Sequence, residues 1–223
     1  MLFAAGLGTR MGELVAKMPK PLIPVAGIAL IDRAMRLITE ADIAATVVNV
    51  GHLSDMLIAH LHGSGALIKD ESDRLLETGG GLRNALDLLG DDPVFTLNSD
   101  AAWVGPNPLV QLKHAWDPRL MDGLLLLCDP VGAGAHQGSG DFVFDQNGKV
   151  IRGPGLIYTG AQIIKTDDLS AINQDKFSLN LVWDKMMERG RLCAVVYDGQ
   201  WCDVGTPTGL AEAEKLLQAP TDV

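Results

Sequence analysis

No apolar run in the sequence approaches the length of a membrane helix, and no basic segment followed by an apolar one opens the chain as a secretion signal would. Cysteine is scarce, and Cys128, Cys193 and Cys202 are scattered and odd in number. They form neither a metal-binding spacing nor a disulfide framework, which favours a reducing compartment. These absences predict a cytoplasmic protein with no membrane partner.

Basic residues are also fewer than acidic ones. The chain has 18 Lys and Arg residues against 28 Asp and Glu residues, which gives a net charge of −10. An acidic balance of this kind argues against nucleic acid as a partner. An anionic small molecule can still bind where a few cationic side chains lie together, because salt screens the more distant negative charges. A divalent cation would further favour binding of such an anion.

Internal repeats are absent, and with them the hexapeptide pattern of an appended β-helix. The 223 residues are enough to bury the core of one α/β domain. Residues 45–50 and 123–128 are typical of buried strands, and residues 31–38 carry the apolar stripe of a helix. The alternation of strands and helices predicts a single domain over residues 1–223 with a mostly parallel sheet.

Three local predictions add to this outline. They are a helix over 53–61 with Met56, Leu57 and His60 on one face, a flexible glycine-rich loop over 132–140, and a hairpin over 141–151 around Asn147-Gly148.

A glycine-rich stretch, Ala4-Ala5-Gly6-Leu7-Gly8-Thr9-Arg10-Met11, follows the first apolar residues, and Pro19-Lys20-Pro21-Leu22 comes about ten residues later. Small residues let a backbone approach a phosphate chain, and Arg10 and Lys20 supply positive charge where a phosphoryl group reacts. The stretch has neither the Walker spacing nor G-x-G-x-x-G. A tight strand-to-helix turn without a ligand is the alternative interpretation.

The coupled pattern resembles the sugar-phosphate nucleotidyltransferases, whose loop is commonly written L-A-A-G-x-G-T-R-M and whose lysine lies in P-K-P-L. The resemblance implies a single-domain, three-layer α/β/α fold of the Rossmann-like, GT-A type. It divides the chain into a nucleotide-binding half, about 1–103, and a sugar-phosphate-binding half, about 104–223. Members of the family usually have a longer first strand, so we expect that a few residues are missing at the beginning of this chain.

A second glycine-rich stretch, Glu77-Thr78-Gly79-Gly80-Gly81-Leu82, is expected to precede a helix. Three successive glycines are unfavourable unless something needs the bare backbone. The stretch resembles the family's G-T-A-G-A-L, which lies against the base and ribose. The nucleotide-binding residues that the resemblance implies are Ala4, Ala5, Gly6, Gly8, Thr9, Thr78 and Gly79. A mobile loop or a helix N-terminus that happens to be rich in glycine is the alternative.

Two aspartates are the predicted metal ligands. Asp100 follows the apolar strand 93–97, at the kind of sheet edge where ligands bind in α/β proteins. Asp203 lies in Trp201-Cys202-Asp203-Val204-Gly205-Thr206-Pro207, which resembles the family's W-x-D-V-G-T-P. The resemblance implies that both carboxylates hold Mg²⁺. Alternatively, Asp100 is a helix cap or turn residue, and Thr206-Pro207 simply begins the last helix.

The sugar phosphate is expected beside Asp141, Thr159 and Gly160, although Thr159-Gly160 is also typical of a β-bulge. The chain contains the motif L-E-T-G-G-G and, after a flexible loop, the motif G-D-F. In both it resembles the family members that act on N-acetylmuramate 1-phosphate with UTP in bacterial cell-wall recycling. The loop 132–140 would open around this bulky sugar. Its carboxylate would need a cation or main-chain donors, and Arg152 and Lys165 are the candidate cations.

The activity that the resemblance implies is in-line attack of a sugar 1-phosphate on the α-phosphorus of a nucleoside triphosphate, with UTP preferred. Arg10 would face the leaving phosphates and Lys20 the transferring one, with no general base. The alternatives are transfer to mannose 1-phosphate, glucose 1-phosphate or phosphocholine from GTP, dTTP or CTP, and a non-catalytic subunit that binds nucleotide sugars. A monomer and a homodimer are both compatible with the sequence.

Overall fold

A computed structural model describes residues 1–90, 93–136 and 138–219. The strands are β1 (Leu2–Phe3), β2 (Pro24–Val25), β3 (Ile28–Ala29), β4 (Val47–Val50), β5 (Leu67–Asp70), β6 (Val94–Asn98), β7 (Ala101–Val104), β8 (Gly123–Cys128), β9 (Ala133–Gly134), β10 (Phe142–Phe144), β11 (Val150–Arg152), β12 (Ile157–Ile164), β13 (Leu192–Val196) and β14 (Gln200–Asp203). The α-helices are α1 (Leu30–Glu40), α2 (Ser54–Leu61), α3 (Glu77–Asn84), α4 (Leu86–Leu89), α5 (Pro108–Ala115), α6 (Asn180–Glu188) and α7 (Pro207–Gln218). Short 3₁₀ helices span Thr9–Val15, Lys20–Leu22, Pro130–Gly132 and Asp167–Ala171.

The main sheet in the described part of the chain has the strand order β13-β8-β12-β6-β1-β4-β5. Only β12 is antiparallel to its neighbours β6 and β8, and all other pairs in this sheet are parallel. The prediction of a mostly parallel sheet in one α/β domain is therefore confirmed. The two-residue strand β1 lies in the interior of the sheet, where Leu2 is opposite both Val48 of β4 and Leu97 of β6.

Helices cover both faces of this sheet, and the sequence of β8 has apolar side chains for both of them. Its leucines alternate between the two faces, with Leu124 and Leu126 in one core and Leu125 and Leu127 in the other. The first core receives the apolar faces of α1, α2 and α5, and the second receives α3 and α6. All four leucines are fully buried, as a strand covered on both faces requires. The result is the predicted three-layer arrangement.

A smaller sheet has the order β7-β14-β9 and packs against α7. The prediction of a loop over all of 132–140 was wrong at its beginning, because β9 pairs in parallel with Trp201 and Cys202 of β14. Glycine allows this pairing, since a Cβ on Gly134 would lie 3.0 Å from the Cys202 sulfur. Gln137 of the predicted loop lies outside the described residues. The predicted hairpin is present as β10 and β11, with a left-handed Gly148 at φ 76° in its turn.

Helix α2 forms where a helix was predicted but buries a different face. Leu57 and Leu61 are buried, whereas Met56 is 41% exposed and His60 pairs with Asp32 at 2.7 Å. A short helix with apolar residues on several sides fits more than one stripe, and contact with β4 selects Leu57 and Leu61. No helix among residues 1–90, 93–136 and 138–219 is long and apolar enough to cross a membrane.

The three successive glycines lie inside α3 and not in a loop before it, which corrects the predicted boundary. Each one removes a specific clash. A Cβ would lie 2.4 Å from the Phe177 ring at Gly79, 2.3 Å from the Asp175 carbonyl oxygen at Gly80, and 2.9 Å from Glu71 at Gly81. The amides of Gly79 and Gly80 both donate to the Phe177 carbonyl oxygen, at 2.9 and 3.1 Å. The glycines therefore let the chain before α6 pack directly onto the beginning of α3.

Replacing Gly80 by alanine tests this packing. We expect Gly80→Ala to destabilise the fold by about 1–3 kcal/mol, because the added methyl group is forced against backbone that cannot rotate away. Denaturant unfolding followed by circular dichroism measures the change. Asn84→Ala, at an exposed position of the same helix, is the control and should unfold near the wild-type midpoint. A Gly80→Ala midpoint equal to that of wild type would contradict the packing interpretation.

Candidate active site

The candidate site lies where β1 and β6 end side by side. Phe3 is opposite Asn98 in the parallel register, and the Phe3 carbonyl oxygen accepts hydrogen bonds from the Ser99 amide at 3.1 Å and the Ser99 hydroxyl at 2.8 Å. This pairing places the backbone of Ala4 to Gly6 next to Asp100. The first glycine-rich stretch and the first predicted metal ligand therefore lie at one edge of the sheet.

Within the part of the chain that the structure describes, three cavities of about 290, 280 and 280 Å³ meet at this edge. The first cavity is lined by Ala4, Ala5, Gly6, Lys20, Thr78 and Asp100, together with Asn49, Glu71 and Lys176. The second is lined by Asp141, Phe142, Arg152, Tyr158, Asn180 and Trp183. The third is lined by Arg10, Asp100, Asp141, Thr159, Gly160 and Asp203.

Asn98 lines all three cavities, although no motif in the sequence marks it as a site residue. Its side-chain amide makes no hydrogen bond to any described residue, so both its donor and its acceptor can be offered to a ligand. Gly160 makes room for it, because a Cβ there would lie 2.7 Å from the Asn98 amide. The only signal in the sequence was its position at the end of a strand beside Ser99-Asp100.

Strand β12 has a bulge at Thr159-Gly160, where the register with β8 shifts between Tyr158 and Gln162. The alternative interpretation, that Thr159-Gly160 forms a β-bulge, is therefore correct for the backbone. Both residues nevertheless line the third cavity. Gly160 is left-handed at φ 85°, and the Thr159 hydroxyl donates to the Leu126 carbonyl oxygen at 2.7 Å. The bulge turns this part of the strand towards the site, as bulges beside active sites do.

Lys20 is a nearly buried cation, with 9% of its side chain exposed, and its Nζ lies 2.7 Å from Oδ2 of Asp100. It begins the 3₁₀ turn Lys20–Leu22 after Pro19. The loop folds over its aliphatic stem at Gly8, which is left-handed at φ 63° and where a Cβ would lie 3.1 Å from the Lys20 Cβ. Burial weakens the screening of this charge, so the ion pair fixes Lys20 at the edge of the first cavity.

Asp203 ends β14, opposite Ala101 in the register, so its carboxylate comes close to that of Asp100. Burial, and next the charge of Asp100, raise the pKa of Asp203 above its ordinary value, while Lys20, Arg10 and His136 oppose this rise. Arg10 Nη2 lies 3.8 Å from Oδ2 of Asp203, but the Arg10 side chain is 67% exposed, so this pair is weak.

The motif that contains Asp203 serves two purposes. A Cβ on Gly205 would lie 2.6 Å from both the Arg10 guanidinium and the Asp203 carboxylate, so this glycine makes room for the pair. The Thr206 hydroxyl caps α7 by accepting from the Gly209 amide at 3.1 Å, and Pro207 begins the helix. The alternative interpretation of Thr206-Pro207 as a helix start is thus correct, and it is compatible with Asp203 lining the third cavity.

Two neighbouring carboxylates are a suitable donor set for a hard divalent cation such as Mg²⁺, which prefers oxygen ligands. No group of three or more His, Cys, Asp or Glu side chains that would hold a metal occurs among the described residues. A cation at Asp100 and Asp203 would therefore need further oxygens from phosphate or water. Mg²⁺ at nucleotide sites is commonly bound in this way.

A buried polar chain supports the glycine-rich loop from behind. The Ala4 amide donates to Oδ1 of Asn49 at 2.9 Å, Asn49 Nδ2 donates to Oε1 of Glu71 at 3.0 Å, and Oε2 of Glu71 accepts from the Leu76 amide at 3.3 Å. Burial raises the pKa of Glu71, and the hydrogen bonds from Asn49 and Leu76 oppose the rise. This chain connects the first glycine-rich stretch to the turn before α3, and sequence reasoning missed it.

Not every predicted site residue lies at a cavity. Gly8 lies against the stem of Lys20, Gly79 lies beneath Phe177, and neither lines any of the three cavities. Thr9 is likewise absent from their linings, while Thr78 lines the first two and its hydroxyl accepts from the Leu179 amide at 3.0 Å. Of the two candidate cations for a carboxylate, Arg152 lines the second cavity and Lys165 lines none.

Comparison with known families gives a match to the MobA-like NTP transferase domain over residues 1–129. Among curated proteins, the chain is 36% identical to the N-acetylmuramate alpha-1-phosphate uridylyltransferase of Caulobacter vibrioides, over 97% of this chain and 96% of that protein. It is 29% identical to the enzyme of the same name from Neisseria meningitidis serogroup B, over 98% of each chain.

Solved structures share the fold. A Bacillus anthracis protein described as a glucose-1-phosphate thymidylyltransferase aligns with a TM-score of 0.83 at 18% identity, over 99% of this chain and 95% of its own. HddC from Yersinia pseudotuberculosis aligns with a TM-score of 0.76 at 21% identity, over 97% of this chain and 98% of its own.

The contact between Gly160 and Asn98 generates a prediction. Gly160→Ala should lower turnover about a hundredfold, because the added methyl group displaces the Asn98 amide by roughly 1 Å at the point where the cavities meet. Gly148→Ala is a matched control, since Gly148 is also left-handed, at φ 76°, but a Cβ there meets nothing within 4 Å. Both variants should lose about 1–2 kcal/mol of stability from the backbone conformation.

Steady-state turnover with saturating substrates, measured below the unfolding transition of each variant, separates the two effects. Equal turnover in the Gly160 and Gly148 variants would show that the position of Asn98 does not matter.

Proposed function

Because the chain belongs to the MobA-like NTP transferase domain family, we propose that it transfers the uridylyl group of UTP to N-acetylmuramate 1-phosphate, giving the UDP-sugar and pyrophosphate. The observation that carries this proposal is the 36% identity to the Caulobacter vibrioides enzyme of that name over nearly the whole of both chains. The convergence of Arg10, Lys20, Asp100 and Asp203 on adjoining cavities supports it.

In the proposed reaction, an oxygen of the sugar phosphate attacks the α-phosphorus of UTP. A new phosphorus–oxygen bond forms, the bond from the α-phosphorus to the bridging oxygen breaks, and the electron pair leaves with pyrophosphate. The attacking oxygen is already ionised, so no side chain has to remove a proton. The protein therefore contributes positioning and charge stabilisation.

The first cavity is the proposed nucleotide site. Its lining combines Ala4 to Gly6 and Thr78 with the apolar side chains of Phe3 and Leu75. Lys20 lies where this cavity approaches the third, so its ammonium would contact the α-phosphate and the incoming sugar phosphate. Arg10, at the mouth of the third cavity, would contact the leaving phosphates, and Asp141 and Gly160 would border the sugar phosphate.

Asp100 and Asp203 are the proposed ligands of Mg²⁺, which when bound would neutralise phosphate charge and orient the triphosphate. The raised pKa of Asp203 supports this assignment, because a carboxylate that is buried beside another one gains from a cation between them. The charged side chains Arg10, Lys20, Asp100 and Asp203 also argue against a protein that only binds nucleotide sugars. Tight binding of a nucleotide sugar does not require charged groups placed around a phosphate that is being transferred.

Removing either carboxylate should abolish most of the activity. We expect Asp100→Asn and Asp203→Asn each to lower turnover at least about a hundredfold, as loss of one electrostatic stabiliser does. Pyrophosphate release with UTP, sugar phosphate and MgCl₂ is the measurement, and wild-type enzyme treated with EDTA should lose activity and regain it on addition of Mg²⁺. Full activity of either variant, or of the EDTA-treated enzyme, would refute the metal assignment.

A substrate panel tests the proposed function as a whole. With UTP, the kcat/KM for N-acetylmuramate 1-phosphate should exceed that for glucose 1-phosphate and mannose 1-phosphate, and GTP, dTTP and CTP should each support slower transfer than UTP. A preference for mannose 1-phosphate with GTP would replace the proposed substrates but keep the nucleotidyltransferase chemistry. Absence of pyrophosphate release with every pair would favour the binding subunit.

A further inference from the structure

We propose that Arg152 recognises the carboxylate of the sugar substrate and so selects an acidic sugar phosphate over a neutral one. This inference rests on the proposed function, because N-acetylmuramate differs from N-acetylglucosamine by a lactyl ether that carries a carboxylate. The position of Arg152 in the second cavity, its fixed orientation and its remaining hydrogen-bond donors carry the argument.

Arg152 is the last residue of β11 and lines the second cavity. That cavity shares Asn98, Asp141 and Tyr158 with the third one, where the sugar phosphate is proposed to bind. A sugar whose phosphate occupies the third cavity can therefore extend into the second without leaving the site. Among the described residues that line the second cavity, Arg152 is the only cation.

Aromatic side chains hold the guanidinium in place. Its central carbon lies 5.3 Å from the Phe142 ring centroid and 6.0 Å from that of Trp183, within the range of cation–π attraction. Trp183 is itself fixed, because its indole nitrogen donates to Gln162 at 2.9 Å and its ring packs edge-on against Tyr158 at 4.8 Å. Arg152 is thus oriented before a ligand arrives, which reduces the entropy lost on binding.

The guanidinium retains donors for a ligand. Its Nε and Nη2 both donate to one oxygen of Asp184, at 3.1 and 2.8 Å, and Nη2 also reaches Oδ1 of Asn180 at 3.2 Å. Its Nη1 makes no hydrogen bond to any described residue, which leaves two N–H groups for a carboxylate. Side chains of the Arg152–Asp184 pair are 41% and 49% exposed, so a ligand can compete with Asp184 at little energetic cost.

The other candidate cation, Lys165, is unsuitable. Its Nζ lies 2.9 Å from the Asp122 carboxylate and donates to the Pro118 carbonyl oxygen at 2.9 Å. It follows the last residue of β12, beyond the end of the strand opposite to Tyr158, and lines none of the three cavities. Lys165 therefore serves as a matched control of the same charge in the same fold.

The test compares two sugar phosphates in three enzymes. Wild-type, Arg152→Gln and Lys165→Gln proteins are assayed for pyrophosphate release with UTP and either N-acetylmuramate 1-phosphate or N-acetylglucosamine 1-phosphate. Arg152→Gln should lower kcat/KM for the acidic sugar at least about tenfold, mainly through KM, because a charge-assisted hydrogen bond is lost. Its kcat/KM for the neutral sugar should stay within about twofold of wild type, and Lys165→Gln should keep the full preference.

The neutral sugar reports on folding in the same preparation, and Arg152→Lys should restore part of the preference because it keeps the charge but loses the planar fork. Retention of the wild-type preference in Arg152→Gln would overturn the inference and leave the proposed function intact. Equal loss for both sugars would also overturn it, since Arg152 would then be structural. A wild-type enzyme that does not prefer the acidic sugar would refute both the inference and the proposed sugar, whereas UTP-dependent transfer to the neutral sugar would preserve the nucleotidyltransferase assignment.

Discussion

The parallel pairing of the two-residue strand β1 with β6 is the constraint on which the site depends. It places Phe3 opposite Asn98, so that the backbone of Ala4 to Gly6 and the side chains of Asn98 and Asp100 leave the sheet together. A short strand is weak by itself, but β1 is hydrogen-bonded on both sides and its Leu2 is fully buried. The hydrogen bonds from the Ala4 amide to Asn49 and from Asn49 to Glu71 then hold the glycine-rich loop in place.

Much of the remaining geometry is set by glycines that remove a clash. Gly8 lets the loop close on Lys20, Gly205 admits Arg10 beside Asp203, and Gly160 admits Asn98. At Gly160 and Gly205, glycine is thus required by contacts between parts of the chain that lie far apart in sequence. The sequence alone predicts that the motif glycines provide bare backbone for a ligand, but most of them are better explained by packing that positions the groups which meet a ligand.

The sequence predicted most of the fold and the outline of the site, and the limits have identifiable physical causes. Buried strands such as β8 stand out because their residue types alone suggest their environment. Asp100 and Asp203 stand out because one follows such a strand and the other lies in a motif that resembles W-x-D-V-G-T-P. Asn98 and the Asn49–Glu71 chain did not stand out, because their importance arises only when separate elements are brought together. The same holds for Gly79 and Gly80, whose partner Phe177 is about 100 residues away and whose helix could not be inferred from propensity.

An acidic protein that handles anionic substrates must concentrate positive charge without exposing it unpaired. Among the described residues that line the three cavities, Lys20 pairs with Asp100 at 2.7 Å, Arg10 with Asp203 at 3.8 Å, Arg152 with Asp184 at 2.8 Å and Lys176 with Glu77 at 3.8 Å. Each cation thus has a carboxylate partner that an anionic group of the substrate can replace. In the proposed reaction, phosphates would pair with Lys20 and Arg10 and leave the carboxylates of Asp100 and Asp203 without their cations. Two neighbouring unpaired carboxylates favour binding of a divalent cation. Under the proposed function, binding of the triphosphate and binding of a divalent cation would therefore favour each other, because each would restore the charge balance that the other disturbs.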